Sequence, residues 1–168
     1  LEEARKQLHE ETDYAREGTY LQRFGDLLDG DDRLVVPKLY NDWSTPTILT
    51  MQFIAARPIE DAADLPQEDR DRIAHDLIDL LLRELFGFGL MQTDPNFANY
   101  RFNPQTGQIV LLDFGATRAL DPDIVTLYRR LMLAGLDGQQ DVQAQVAEQI
   151  GFITPDVAAP HRVRILRM

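Results

Sequence analysis

The stretch that decides the fold is residues 91–116, MQTDPNFANYRFNPQTGQIVLLDFGA. It puts Asp94, Asn96 and Asn99 into one short loop, follows them with a turn, and ends an apolar run on Asp113-Phe114-Gly115. A lone Asp or Asn in a loop is ordinary turn chemistry, because its side chain bonds nearby backbone N–H groups. Two Asn and an Asp, followed by an Asp carried on an apolar strand, form a pattern that turn chemistry alone does not require. A calcium loop starting at Asp94 fails, since its fifth position is Ala98 and its sixth, which needs Gly, is Asn99.

Mg²⁺ and phosphates need hard oxygen ligands held on a rigid backbone. In phosphoryl transfer of the protein-kinase type, a loop Asp orients or deprotonates the acceptor. An Asn five residues on holds one metal, and the Asp of Asp-Phe-Gly holds the other. Asp94, Asn99 and Asp113 stand in that order and spacing, and the predicted hairpin "YRF"–"NPQTGQ"–"IVLLDF" returns Asp113 to the loop. Asp94 is therefore the candidate catalytic residue, with Asn99 and Asp113 as candidate metal ligands.

Outward from this stretch, residues 67–90 predict a long helix, with Ile73, Leu77, Leu81 and Leu85 at i+4 spacing and Ile78 and Leu82 widening the apolar face. Gly87 and Gly89 are expected to end it. Residues 1–29 predict a helix that stops at "DGDD". "RLVVPKLY" and "TPTILTMQFI" predict a first hairpin, with Pro37 marking an edge or bulged strand. Asp121-Pro122 opens a helix to about Leu136, and "GQQDVQAQVAEQIGF" predicts another. Trp43 is expected as a local packing anchor, "LFGFGL" as core, and His9, His75 and His161 as bland surface or core positions.

The 168 residues amount to about one domain, with 44% hydrophobic and 27% charged residues, as in ordinary globular proteins. The lack of cysteine excludes disulfides and thiolate metal sites. A net charge of -11 argues against a nucleic-acid partner. No apolar run reaches the roughly 20 residues that span a bilayer. The first residues show no signal-peptide pattern, and the basic, apolar end "HRVRILRM" is read as a helix face that could also touch a membrane.

"ETDYAREG", "ILTMQFI", "LRELFGFGLMQTDPNFANYRF" and "VLLDFGATR" together resemble the UbiB (ADCK) family of atypical protein-kinase-like proteins. The resemblance implies an α+β, protein-kinase-like fold, with residues 1–54 as the end of the small lobe and 55–168 as a mostly helical C-lobe. It implies an ATP- and Mg²⁺-dependent atypical kinase or ATPase supporting ubiquinone-type quinone biosynthesis. The expected partners are ATP, lipid or quinone intermediates and a membrane surface, and the expected location is cytoplasmic or membrane-associated, mitochondrial in a eukaryote. Carried over by position, Glu11 and Asp13 match the family's Glu-x-Asp segment, and backbone groups of Gln52 and Ile54 match the adenine hinge. Asn96 stands where typical kinases keep a Lys. The phosphate loop, the Val-Ala-Ile-Lys-type strand and the Lys-x-Gly-Gln segment are expected upstream of residue 1, which makes the 168 residues a fragment expected to be inactive alone. An aminoglycoside- or choline-type phosphotransferase and a non-catalytic kinase-shaped scaffold are the rival readings.

Overall fold

A computed structural model of the chain describes residues 13–94, 96–154 and 157. The chain opens on helix α1 (Tyr14–Leu27), capped by Asp13, whose carboxylate accepts the Arg16 N–H at 3.0 Å. Leu21 and Phe24, with Gly18 a turn earlier, lie on one face and are buried there. The "DGDD" corner ends the helix as expected, and the earlier part of the predicted 1–29 helix lies outside the described residues.

The first hairpin departs from expectation. Strand β1 (Leu34–Val35) does not pair with the run after "NDWS". It lies parallel to β5 (Ile109–Leu111), with Leu34 opposite Ile109. A buried Pro37 follows it; with no N–H to donate, it cannot continue a ladder. Beyond Pro37 the hairpin is reduced to bridges at Leu39–Met51 and Thr45–Ile48, with the Tyr40 N–H donating to Thr50 and the Gln52 N–H to Lys38. Trp43, on the 3₁₀ turn between them, is 75% exposed and so anchors no packing.

Strand β2 (Arg57–Pro58) leads into a 3₁₀ segment, Ile59–Asp64. Helix α2 (Gln67–Arg83) then carries Glu68 and Asp69 in its first turn, where N-terminal carboxylates are favoured. Its buried stripe overlaps only in part the one that the leucine spacing suggests, with Ile73 in the core and Leu77 packed against it. Ile73, Asp76, Leu80 and then Glu84 are buried, while Ile78 and Leu81 are exposed. Two carboxylates on the buried face shift the stripe, and a sequence rule that counts only apolar residues misses them. The helix widens into a π turn at Glu84–Phe88 and ends on Gly89 in left-handed conformation (φ 63°), so Gly87 lies inside the turn rather than ending it.

Strand β3 (Leu90–Gln92) follows and pairs antiparallel with β6 (Thr117–Ala119), a ladder that the sequence pattern did not disclose. The second hairpin matches its prediction. Strands β4 (Tyr100–Phe102) and β5 pair antiparallel across a turn in which the Asn103 side chain accepts the Gln105 N–H at 2.9 Å. The larger sheet runs β1-β5-β4-β2. Helix α3 (Pro122–Leu136) starts on the Asp121 cap with Pro122 in its first turn, and α4 (Gln140–Ile150) packs on it. One apolar core joins α1, α2, the sheet and Phe114. Phe88 and Leu90 of "LFGFGL" contribute to it as expected, Phe88 edge-on to Phe24.

Candidate active site

The site lies where β3, the 93–99 loop and the end of β5 meet. After β3 the chain turns out at Asp94, which is exposed, and returns through the 3₁₀ turn Phe97–Asn99. Asn96 caps that turn, its Oδ1 accepting the Ala98 N–H at 3.0 Å. The capping role shows why an Asn serves there irrespective of any ligand. Asn99 is buried, and its side-chain amide donates to Asp94 twice, to the carboxylate at 3.2 Å and to the carbonyl at 3.3 Å.

Asp113 reaches the same place from β5. The Leu112 N–H donates to the Asn99 carbonyl at 3.0 Å, which sets the strand end against the loop. Gln92 makes the second tie: its Oε1 accepts the Asp94 N–H at 3.0 Å and its Nε2 donates to the Asp113 carbonyl at 2.8 Å. The Asp113 carboxylate accepts the Gly115 N–H at 2.9 Å and makes no ion pair among the described residues. Phe114 turns the other way into the core.

Helix α1 closes the site from behind. Glu17 Oε1 accepts the Phe114 N–H, at 3.5 Å. Burial and the charge of Asp113 raise the Glu17 pKa, against the lowering effect of that bond. Two carboxylates thus face one another, an arrangement that a cation would relieve. Arg16, one residue earlier, donates to the carbonyls of Gly115 and Thr117 and fixes α1 to the chain after Asp-Phe-Gly. Tyr100 lies beside the loop, and burial with the charges of Glu84 and Asp94 pushes its hydroxyl up to about 12, so it stays neutral.

The other predicted positions lie apart from this cluster. Asp13 serves as the α1 cap, and Glu11 lies outside the described residues. Gln52 is exposed with its N–H committed to Lys38, and Ile54 is half-buried in the irregular chain before β2. His75 is exposed beside Asp76, while His9, His161 and the "HRVRILRM" end lie outside the described residues.

Sequence reasoning assigned no role to Glu17, Gln92 or Glu84. Each left a signal: the buried Leu21 and Phe24 fall at i+4 and i+7 from Glu17, and Glu84 falls at i+4 from Leu80. Gln92 alternates with Leu90 on the buried side of β3. A polar residue on an apolar face is the observation worth weighing.

Comparison with known proteins identifies the family to which the chain is similar. Residues 1–147 match the family described as the ABC1 atypical kinase-like domain. The chain is 36% identical over 154 residues to the mitochondrial atypical kinase COQ8B of Danio rerio, covering 92% of this chain and 25% of the relative. It is 35% identical over 155 residues to the mitochondrial atypical kinase coq-8 of Caenorhabditis elegans, covering 90% of this chain and 20% of that protein. Identity to the mitochondrial atypical kinase COQ8 of Saccharomyces cerevisiae is 35% over 151 residues, 90% of this chain and 30% of the relative. The chain therefore spans between 20% and 30% of the length of these curated relatives. A Mycobacterium tuberculosis protein solved in complex with erythromycin superimposes with a TM-score of 0.74 at 24% identity, covering 94% of this chain and 40% of that one. That likeness speaks for the fold, which with the family match is kinase-like.

Proposed function

Since this chain belongs to the ABC1 atypical kinase-like family, we propose that its Asp94 loop and Asp113 form the reaction centre of an ATP- and Mg²⁺-dependent phosphotransferase or ATPase. The observation that carries the reading is the direct Asn99–Asp94 side-chain bond together with the Gln92 tie from Asp94 to Asp113. Asp94, exposed at the loop tip, orients or deprotonates the attacking group. Asn99 has its amide nitrogen spent on Asp94, so its oxygen is the end left for a metal. Asp113 faces Glu17 with no protein cation paired to it among the described residues, which fits a divalent cation. Mg²⁺, when bound, would neutralise charge on the phosphates. At the adenine edge the Gln52 N–H is already taken, leaving the Gln52 carbonyl and the Ile54 N–H as the backbone groups to meet the ring.

The physiological setting that the family resemblance supports is quinone biosynthesis, with lipid or quinone intermediates as partners. The mitochondrial relatives support a mitochondrial location in a eukaryote. No helix among the described residues is long and apolar enough to cross a membrane.

The test uses the full-length protein with Asp113→Asn and Asp94→Asn, read by nucleotide-induced thermal shift with and without Mg²⁺ and by phosphate release. Asp113→Asn should lose the Mg²⁺-dependent shift. Asp94→Asn should keep it and lose turnover by about 10²-fold or more, as for removal of a positioned acid–base group. Equal loss of binding in both variants, or unaltered turnover in either, overturns the assignment of roles.

A further inference from the structure

Gln92 stands where three pieces of backbone meet. As the last residue of β3 it lies opposite Thr117, and the next ladder bond is made by Thr93, whose N–H donates to Ala116. The Gln92 N–H is turned away from β6, and Glu84 takes it: Oε2 accepts at 3.0 Å. Glu84 is 3% exposed and Gln92 9%, so this contact is not shared with bulk water. The Gln92 side chain then works in two directions, taking the Asp94 N–H on its oxygen and giving its nitrogen to the Asp113 carbonyl.

The demands on this position are specific. One group must be an acceptor and its neighbour a donor, at the end of a side chain long enough to reach past the loop. A carboxylate offers two acceptors and would set charge against the Asp113 carbonyl, and a hydroxyl is too short. Glutamine satisfies both ends. Glu84 satisfies a different demand, since a buried N–H left without an acceptor is costly.

We propose that Gln92 is a positioning residue that holds Asp94 and Asp113 in register through its side-chain amide, and that Glu84, from the π turn, holds Gln92. The proposal rests on the phosphoryl-transfer reading for its consequence but not for its geometry. The π turn gives the arrangement a physical source: it carries the end of α2 to β3, so the helix and the reaction loop are joined by one buried contact. Catalytic groups displaced by about 1 Å can lose about 10²-fold in rate, so an uncharged residue that never meets substrate can still govern turnover.

Two measurements test it. The first is amide hydrogen exchange of the full-length protein as wild type, Gln92→Met, Glu84→Met and Glu84→Gln. Gln92→Met removes the acceptor at Asp94 with little change in volume, so the Asp94 amide should exchange about tenfold faster or more, with Ile109 and Val110 in the core unmoved. Glu84→Met should speed exchange at Gln92 and Asp94 together. Glu84→Gln keeps an acceptor oxygen and should exchange as wild type does. An Asp94 amide unchanged in Gln92→Met overturns the proposal, and Glu84→Gln behaving like Glu84→Met overturns the part assigned to Glu84.

The second is phosphate release. In Gln92→Met, kcat should fall about tenfold or more, while KM for Mg²⁺-ATP stays within about threefold, because the change displaces reacting groups rather than removing them. The double variant Gln92→Met with Glu84→Met should be no slower than Gln92→Met alone, since Glu84 acts through Gln92. An unchanged kcat, or additive losses in the double variant, overturns the positioning role. A wild-type protein without turnover refutes the function proposed above, and hydrogen exchange then decides the Gln92 arrangement by itself.

Discussion

The rings of Phe24 and Phe114 pack with centroids 5.2 Å apart and planes tilted by 47°. Both side chains are almost fully buried, so the middle residue of Asp-Phe-Gly belongs to the core while its neighbour Asp113 stays at the site. The same contact ties α1, and with it Glu17, to the position of Asp113.

Truncating either ring should therefore unsettle stability and site together. Phe114→Ala and Phe24→Ala should each cost about 3–5 kcal/mol, the usual range for a buried Phe. The double variant should lose less than the sum, by about 0.5–1.5 kcal/mol, because one aromatic contact is counted in both. Urea unfolding of the four proteins checks it, and strictly additive losses would mean that the two rings do not support one another.

Charge burial separates two ion pairs of similar appearance. Arg33 donates to Asp76 at 3.1 Å and to Asp79 at 2.8 Å, and Asp76 is 2% exposed, with one carboxylate oxygen lacking a partner among the described residues. Arg57 pairs with Asp61 at 3.1 Å on an open surface. Arg33→Met strands a buried charge and should cost about 3–5 kcal/mol. Arg57→Met should stay within about 1 kcal/mol, a loss that salt shrinks further. Chemical denaturation at low and high ionic strength distinguishes them, and similar losses at both positions would contradict the burial of Asp76.

Backbone conformation sets the third expectation. Gly107 closes the β4–β5 turn at φ 76°, with its carbonyl accepting from Arg72 at 2.9 Å. An added Cβ would come within 2.7 Å of the Arg72 guanidinium, which is flexible enough to move, so the cost lies in the left-handed backbone. Gly107→Ala should lose about 1–2 kcal/mol. Gly107→Asn should lose less, since Asn tolerates that region better. Thermal unfolding of the two variants gives the order.

These contacts explain which features the sequence disclosed. The loop, the second hairpin and the helix starts rest on local chemistry: Asn103 and Gly107 shape a turn, and Asp121-Pro122 opens a helix whatever surrounds it. Asp94, Asn99 and Asp113 were legible as candidates because their spacing is itself the signal. The parallel pairing of β1 with β5 and the β3–β6 ladder join residues far apart in the chain, and two or three residues per strand leave no periodicity to detect. Trp43 misled for the opposite reason, because large aromatic character suggests burial but the 3₁₀ turn points it outward. Gln92 and Glu84 were hidden because their significance lies in one another and in Asp94, not in any pattern along the chain.

The last expectation concerns pH. Burial pushes the Glu84 carboxyl up to about 7 from 4.5, against the lowering effect of the Gln92 N–H. Between those values the folded protein keeps a proton that the unfolded chain has released, so unfolding loses protons and stability falls as pH rises. The favourable contribution of the neutral carboxyl is fully present below about pH 4.5, declines through pH 7 and is absent above it; a shift of this size corresponds to about 3 kcal/mol. Glu17 is also raised and acts with the same sign, and Asp31 is lowered and acts at more acid pH, so the comparison must be made against a variant rather than read from the wild type alone. Tyr100, pushed up to about 12, does not titrate in the window. Urea unfolding at pH 5 and pH 8 should show the wild type losing about 1–3 kcal/mol more than Glu84→Gln, whose amide carries no proton to lose. Equal losses in the two proteins would mean that Glu84 ionises in the fold as readily as in the unfolded chain, and that the contact beneath Gln92 is held by a carboxylate in water rather than by a buried acid.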